Sequence, residues 1–238
     1  MPKLLPHAAG LLVEREYATI TELSKRPAKP YTEIIGGAKI SDKIDVLHEL
    51  LKHVDALLIG GAMANNFLSV LGNNMQASMV EKKSLNDAKK IMAAAKRHGV
   101  RLLLPTDVVV AKDADGKKGL RTCGVAELKP GEIALDLGPE TMDAFNDVVA
   151  TSKTVFWNGT LGRAEVPALA NASESLAHAM ISSGAKTIVG GGDTAAYVDS
   201  TNLHEHFSFV STGGGASLEL LAGKKLPGIE VLMKKQNL

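Results

Sequence analysis

The sequence predicts an α/β fold: a doubly wound, mainly parallel sheet with helices on both faces, in a Rossmann-like three-layer α/β/α arrangement. Three observations predict it. Short β-branched or aliphatic runs alternate with amphipathic stretches along most of the 238 residues, as repeated βαβ units require. The runs are apolar on both faces, as strands covered from both sides must be. Glycine ends these runs repeatedly, at Gly36–Gly37, Gly60–Gly61, Gly138, Gly159, Gly190–Gly192 and Gly213–Gly215.

The elements follow in order. An amphipathic stretch at about 4–19 predicts a helix, and the connector SKRPAKP follows it, so residues 1–30 stand apart from an α/β domain at 31–238. YTEIIGG (31–37) reads as the first strand. In SDKIDVLHELLKHV, Ile44, Leu47, Leu51 and Val54 recur at spacings that share one helix face, with Ser41 and Asp42 as N-cap candidates. DALLIGG (55–61) is the next strand and leads into AMANNFLSVL. A helix over 85–98 should turn Leu85, Ala88, Met92 and Ala95 inward and stop at Gly99. RLLL and DVVVA come next, then KDADGKKG, which reads as a solvated turn. Further strands are predicted at 134–138, 153–157, 186–190 and 207–212, and helices at 139–151, 167–183, 193–200 and 215–222. Neither an internal repeat nor a low-complexity segment interrupts the pattern.

Composition excludes several functions. A formal net charge of +1 is a poor match to a phosphate-neutralising nucleic-acid binder. With 4% aromatic residues, base-stacking platforms are also unexpected. No apolar run approaches the ~20 residues of a membrane span. The single cysteine, Cys123, cannot form an internal disulfide and suits a reducing cytoplasm, the expected location. Cys123 has no histidine nearby in sequence to make it a nucleophile. His204 and His206 read as a surface pair, and Trp157 as a core residue.

The glycines point to a ligand. In an open parallel sheet the carboxyl ends of the strands form the binding edge. Several of these glycines open a helix, whose free N–H groups and positive dipole end favour anions. One such glycine is most simply a turn; five or more on one edge suggest a phosphorylated ligand. GGGDTA fits a dinucleotide fingerprint, G-x-G-x-x-A, but no acidic residue ends the next strand, FSFVSTGGG, where a ribose carboxylate is wanted. There is no Walker A signature.

Five motifs, GGAKISDK (36–43), LLIGGAMANNFL (57–68), VFWNGTLGRAE (155–165), VGGGDTAA (189–196) and VSTGGGASLELLAGKKLPG (210–228), together resemble the phosphoglycerate kinase family in order and spacing. The resemblance runs from about Leu4 to Leu232 and is to the C-terminal, nucleotide-binding domain alone. LPHAAGLLVEREYATI is similar to the helix joining that family's two domains, and the N-terminal, phosphoglycerate-binding domain is expected to be missing. The resemblance implies phosphoryl transfer between 1,3-bisphosphoglycerate and ADP with Mg²⁺. It implies little or no activity from this chain alone, with ADP or ATP as its ligand and 3-phosphoglycerate or 1,3-bisphosphoglycerate reached only through the missing domain. A monomer is expected, with self-association through an exposed interdomain face. A noncatalytic nucleotide-binding module and a nicotinamide-dependent oxidoreductase are the rival readings.

By the same resemblance the catalytic set is Lys39, Gly192, Gly214 and Gly215. Nucleotide contacts are implied for Gly36, Gly37, Ala38, Lys43, Gly60, Gly61, Gly138, Asn158, Gly159, Glu165, Gly191, Gly192, Asp193 and Thr194, with Glu165 on the ribose hydroxyls. Lys43 falls in the first turn of a helix, where a cation is disfavoured unless an anion sits beside it. Asp193 reads either as a helix N-cap or as the ligand of Mg²⁺, which takes few carboxylates plus phosphate oxygens. The family usually reads close to WNGPMGVFE where this chain has Thr160, Arg163 and Ala164 at the proline, valine and phenylalanine positions. Arg163 is expected to face solvent.

Overall fold

All five residues of β1 (Tyr31–Ile35) are buried, because β1 runs through the middle of a six-stranded sheet covered on both faces. The computed structural model describes residues 7–233. The strand order is β3 (Arg101–Leu103), β2 (Ala56–Ile59), β1, β7 (Thr154–Asn158), β8 (Lys186–Gly190) and β9 (Phe209–Val210), with every pairing parallel. The pleat sends alternate side chains to opposite layers. Tyr31, Ile35, Leu57, Ile59, Phe156 and Ile188 meet a layer made with α1 (Leu11–Lys25), α2 (Ile44–Leu50), α4 (Leu85–His98) and α8 (Gly215–Leu221). Ile34, Leu58, Val155, Trp157 and Val189 meet α5 (Pro139–Thr151), α6 (Asn171–Ser182) and α7 (Gly192–Ser200). This is the doubly wound arrangement predicted. The strand order reverses between β1 and β7, and in open α/β sheets such a switch point is where ligands bind.

Three strands lie outside that sheet. β5 (Arg121–Gly124), β4 (Asp107–Ala111) and β6 (Ile133–Leu137) form a separate antiparallel sheet in the order β5-β4-β6. The sequence reading placed ALDLG, ended by Gly138, at the edge of the parallel sheet, gave DVVVA no sheet of its own and did not predict β5. The connection KDADGKKG is too short for a parallel crossover, so the chain folds back as a hairpin. The small sheet packs Val108, Val110 and Cys123 against Leu68 of α3 (Ala64–Val70) and Met75.

Several boundaries also differ. Helix α1 starts at Leu11, not near residue 4; residues 7–10 are not helical, and 4–6 lie outside the described residues. The N-cap of α2 is Lys43, without a side-chain cap, and Ser41 and Asp42 precede the helix. Ser41 is instead drawn to Glu81, which accepts from its N–H at 3.1 Å and its hydroxyl at 2.8 Å. The buried face of α4 is Ala88, Ile91, Ala94 and Ala95, so Leu85 and Met92 are only half-buried at its margin. The stretch 167–183 begins as a short 3₁₀ turn, Pro167–Leu169, before α6. Helix α7 starts at Gly192 with Gly191 as N-cap, which puts Asp193 inside the first turn and not at the cap. A final helix, α9 (Pro227–Met233), was not predicted.

One core contact is chemically unusual. Glu33, at the centre of β1, is fully buried, and the Tyr31 hydroxyl donates to its Oε1. Its Oε2 has no hydrogen-bond partner among the described residues. Burial pushes the Glu33 carboxyl up to about 8, partly opposed by the Tyr31 hydrogen bond.

Candidate functional site

Sheet register puts three of the predicted loops in one row. Ile35 pairs with Asn158, and Asn158 pairs with Gly190, so the segments after β1, β7 and β8 leave the sheet side by side. The stretch after β7 then crosses the edge. Gly36 N–H donates to Asn158 O (2.9 Å), Gly37 N–H to Thr160 O (3.0 Å) and Gly61 N–H to Leu161 O (3.0 Å). Arg163 N–H ends the crossing on Leu135 O of β6 (3.0 Å). A Cβ on Gly36 would stand 2.3 Å from Thr160 O, and one on Gly61 would stand 2.5 Å from Gly37 N and O. Much of the glycine at this edge is therefore explained by backbone crossing backbone. Gly60 and Gly159 belong to the same crossing. Gly138 belongs elsewhere: it follows β6 and packs against Asp107, whose carboxylate accepts from the N–H groups of Glu140 and Thr141 at the start of α5.

Between the crossing segment and the small sheet lies a cavity of about 560 Å³. Gly37, Ala38, Gly61, Glu165 and Asp193, all singled out in the sequence, line it. Its other wall is apolar, with Leu68, Val108, Ile133 and Leu135. The antiparallel sheet thus supplies the surface for a flat apolar group, and the parallel sheet supplies the polar loops.

Lys43 is the central electrostatic feature. Its Nζ donates to Gly36 O (2.8 Å) and Asn158 Oδ1 (2.8 Å). A Cβ on Gly37 would stand 3.5 Å from it. Among the described residues it forms no salt bridge, so a mostly buried ammonium is held there by neutral oxygens, a costly arrangement. Burial pulls its pKa down to about 8, against the pull of Asp193 and then Asp42. Asn158 Nδ2, at the other end of the amide, is buried, has no partner among the described residues, and lies where a Cβ on Gly191 would be 2.8 Å away. Lys39 is exposed in the loop above and lies near enough to help hold the Glu81 carboxyl below its ordinary range, after the Ser41 and Ile40 hydrogen bonds.

Asp193 projects from the first turn of α7, exposed, with neither a hydrogen bond nor an ion pair among the described residues. Thr194 is fully buried, and its hydroxyl accepts from Gly159 N–H at 2.7 Å, tying α7 to the crossing segment. Gly191 and Gly192 form the turn between β8 and α7.

The second triple glycine is held in a way the sequence did not reveal. Glu16 of α1 accepts from Ser211 Oγ (2.7 Å), Thr212 N–H (2.6 Å) and Thr212 Oγ1 (3.0 Å). Ser211 is also 2.6 Å from Ser217 in α8. Gly214, at φ +55°, and Gly215 follow this anchor. In the sequence, Glu16 is one charged residue of an amphipathic stretch, with nothing local to mark this role. Only the tertiary packing of α1 on α8 brings it to the loop. Asp136 was also missed: it lines the cavity, is buried, and accepts from Leu137 N–H (2.9 Å) and Ala172 N–H (3.1 Å).

The remaining candidates fall outside this row. His204 pairs with Asp199 at 2.5 Å, and no group of three His, Cys, Asp or Glu side chains able to hold a metal occurs among the described residues. Cys123 is buried, and burial pushes its thiol up. Trp157 is a core residue, as predicted, with Nε1 donating to Gly159 O at 2.8 Å. No helix among the described residues is long and apolar enough to cross a membrane.

A family model described as phosphoglycerate kinase matches residues 1–224. The chain belongs to the phosphoglycerate kinase family. It is 46% identical over 230 residues to a phosphoglycerate kinase of Roseiflexus castenholzii, covering 97% of this chain and 58% of that protein. It superposes on a phosphoglycerate kinase from Coxiella burnetii with a TM-score of 0.90 at 38% identity, covering 94% of this chain and 58% of that one. The phosphoglycerate kinase of Pyrococcus horikoshii shares the fold, with a TM-score of 0.85 at 23% identity over 97% of this chain and 58% of that chain. This chain therefore spans a little under three fifths of the length of these phosphoglycerate kinases.

Proposed function

We propose that this chain is the nucleotide-binding part of a glycolytic phosphoglycerate kinase, taking ADP or ATP with Mg²⁺ in the cavity between its two sheets. The observation that carries this reading is the mostly buried Lys43 ammonium, held by amide and carbonyl oxygens with no carboxylate partner among the described residues, beside an Asp193 unpaired among the same residues. Such a cation lacks an anion, and phosphate oxygens at the Gly37–Ala38 and Gly191–Gly192 turns would supply it. The apolar wall takes the base, adenine or guanine alike, and Glu165 stands at the mouth where a ribose would lie.

In the proposed reaction an oxygen of the ADP β-phosphate attacks the acyl phosphorus of 1,3-bisphosphoglycerate. The P–O bond to the carboxylate breaks, giving ATP and 3-phosphoglycerate without net proton movement. Lys39 and the N–H groups at Gly192, Gly214 and Gly215 stabilise charge on the moving group. Lys43 and Asn158 Nδ2 hold the nucleotide phosphates, and Glu16 keeps the 211–215 loop in place. The donor set suits Mg²⁺, which takes one or two carboxylates with phosphate oxygens: Asp193 is a carboxylate with nothing else bound to it. When bound, Mg²⁺ supplies neutralisation of phosphate charge.

The acid substrate is read as binding to the part of the relatives that this chain does not match, which the 58% coverage supports. A coupled assay on this chain alone should then show little or no turnover, because positioning of both reactants carries much of the rate. Near-normal turnover would overturn that part of the reading. The nucleotide part is tested by titrating ADP with and without Mg²⁺. Wild type should bind more tightly with the metal, and Asp193→Ala should lose that difference. Mg²⁺-dependent binding that survives the substitution rejects the metal assignment. Nucleotide binding needs one copy only, so a monomer is proposed, in the cytoplasm. Leu11 and Leu12, 85% and 58% exposed on α1, mark the face for self-association.

A further inference from the structure

Arg163 does not simply face solvent. It lines the cavity mouth and holds two loops together. Its backbone is fixed on Leu135 O at the end of the crossing segment. From there Nε donates to Glu165 Oε1 (3.0 Å), and an Nη1 hydrogen bond reaches Ala114 O (2.7 Å) in the polar turn between β4 and β5. Asp115 Oδ1 stands 4.0 Å from the same nitrogen. The guanidinium charge is thus already matched by Glu165 and Asp115, which argues against a phosphate as its partner. The turn itself is built to receive it: Asp113 Oδ1 accepts from Asp115 N–H (3.2 Å) and Lys117 N–H (3.0 Å), fixing the backbone that presents Ala114 O.

The consequence falls on Glu165. Its side chain is 65% exposed, and such a glutamate ordinarily samples several rotamers. Here the planar fork of Arg163 spans two partners: Nε holds one Glu165 oxygen while Nη1 is tied to Ala114 O, which sets the direction of the other carboxylate oxygen, engaged by no side chain among the described residues. The Glu165 N–H and then Arg163 hold the carboxyl below its ordinary range, so it stays an acceptor only. The group it can take is therefore a hydroxyl donor at the mouth of a cavity whose depth is apolar.

We propose that Arg163 is a positioning residue for sugar recognition: by tying Glu165 to the turn at Ala114, it aims the free carboxylate oxygen at the ribose hydroxyls of the bound nucleotide. This rests on the nucleotide reading above and goes beyond it in assigning where discrimination for the sugar arises. The test compares dissociation constants for ADP and 2′,3′-dideoxy-ADP, with Mg²⁺, in wild type, Arg163→Ala, Arg163→Lys and Glu165→Ala. Wild type should favour ADP. Arg163→Ala should weaken ADP by about 3- to 10-fold, the scale of one or two hydrogen bonds, and leave the dideoxy compound within about twofold. Arg163→Lys should recover part of the preference, because an ammonium can pair with Glu165 but lacks the fork. Glu165→Ala should abolish it. Equal weakening of both ligands in Arg163→Ala, or no change in either, overturns the positioning role while leaving nucleotide binding intact. Wild type that binds neither ligand overturns the nucleotide reading and this inference with it.

Discussion

Lys43→Met should bind MgADP about 10- to 150-fold more weakly than wild type, the loss of a charge-assisted hydrogen bond of roughly 1.5–3 kcal/mol, while unfolding at nearly the same temperature. The two halves of this expectation have one origin. Lys43 is mostly buried and makes its close contacts with neutral oxygens, so the nucleotide-free fold bears the cost of desolvating a cation. Methionine removes that cost but leaves Gly36 O and Asn158 Oδ1 without their donor, at about 1–3 kcal/mol for each buried group. The terms oppose each other and should largely cancel. An ordinary structural lysine would behave in the opposite way, with stability lost and affinity untouched.

The pH dependence sharpens the expectation. Lys43 is depressed from 10.5 to about 8 in the folded protein. Between those values the unfolded chain binds more protons, so wild type gains stability as pH rises through that window and Lys43→Met does not. Nucleotide phosphate favours the charged form, so wild-type affinity for ADP should fall as pH rises past about 8. The variant's affinity should be flat there. Parallel pH profiles for both proteins would show that Lys43 is not the phosphate-facing cation. Calorimetry in two buffers of different ionisation enthalpy should detect the proton taken up by wild type above pH 8.

Legibility of the sequence divided along a physical line. Helix α5 and strand β8 match their predicted ranges, 139–151 and 186–190, because local signals punctuate them: proline at the first helical position, glycine at the strand end. The edge that borders the cavity was equally readable, since glycine marks where backbone must approach backbone or ligand. What could not be read was the partner of each glycine. Gly37 lines the cavity and a Cβ there would meet only Lys43 Nζ, whereas Gly36, Gly60 and Gly61 are bare because the crossing segment or neighbouring backbone lies on them. These cases look alike in sequence and separate only in three dimensions. Glu16 and Arg163 were missed for a related reason: a charged residue on an exposed-looking stretch is usually solvated, and only long-range packing shows otherwise. The second sheet was legible in principle, for the brevity of KDADGKKG already excludes a parallel crossover.

Glu33 was legible in part too, because residues two apart on a strand share a face and Tyr31 precedes it by two. The structure turns that spacing into a prediction about the whole fold. The Glu33 carboxyl is raised from 4.5 to about 8 by burial, so near neutrality the folded protein keeps it protonated where the unfolded chain has ionised it. Stability from this group is therefore fully present below about pH 4.5 and is lost as pH rises toward 8, at up to about 1.4 kcal/mol per unit. Glu33→Gln carries no ionisable proton yet retains an oxygen for the Tyr31 hydroxyl. Denaturant unfolding from pH 5 to pH 8 should show wild type losing stability relative to Glu33→Gln, with a difference on the order of 4 kcal/mol across the window. Its amide nitrogen takes the place of the already unpaired Oε2, so the variant adds at most one unsatisfied donor, a constant offset that cannot imitate a slope. A wild-type-minus-variant difference that stays level across this range would mean Glu33 is not held protonated in the core. A slope places the proton on β1, the strand whose carboxyl end leads into Gly36 and the loop that lines the cavity.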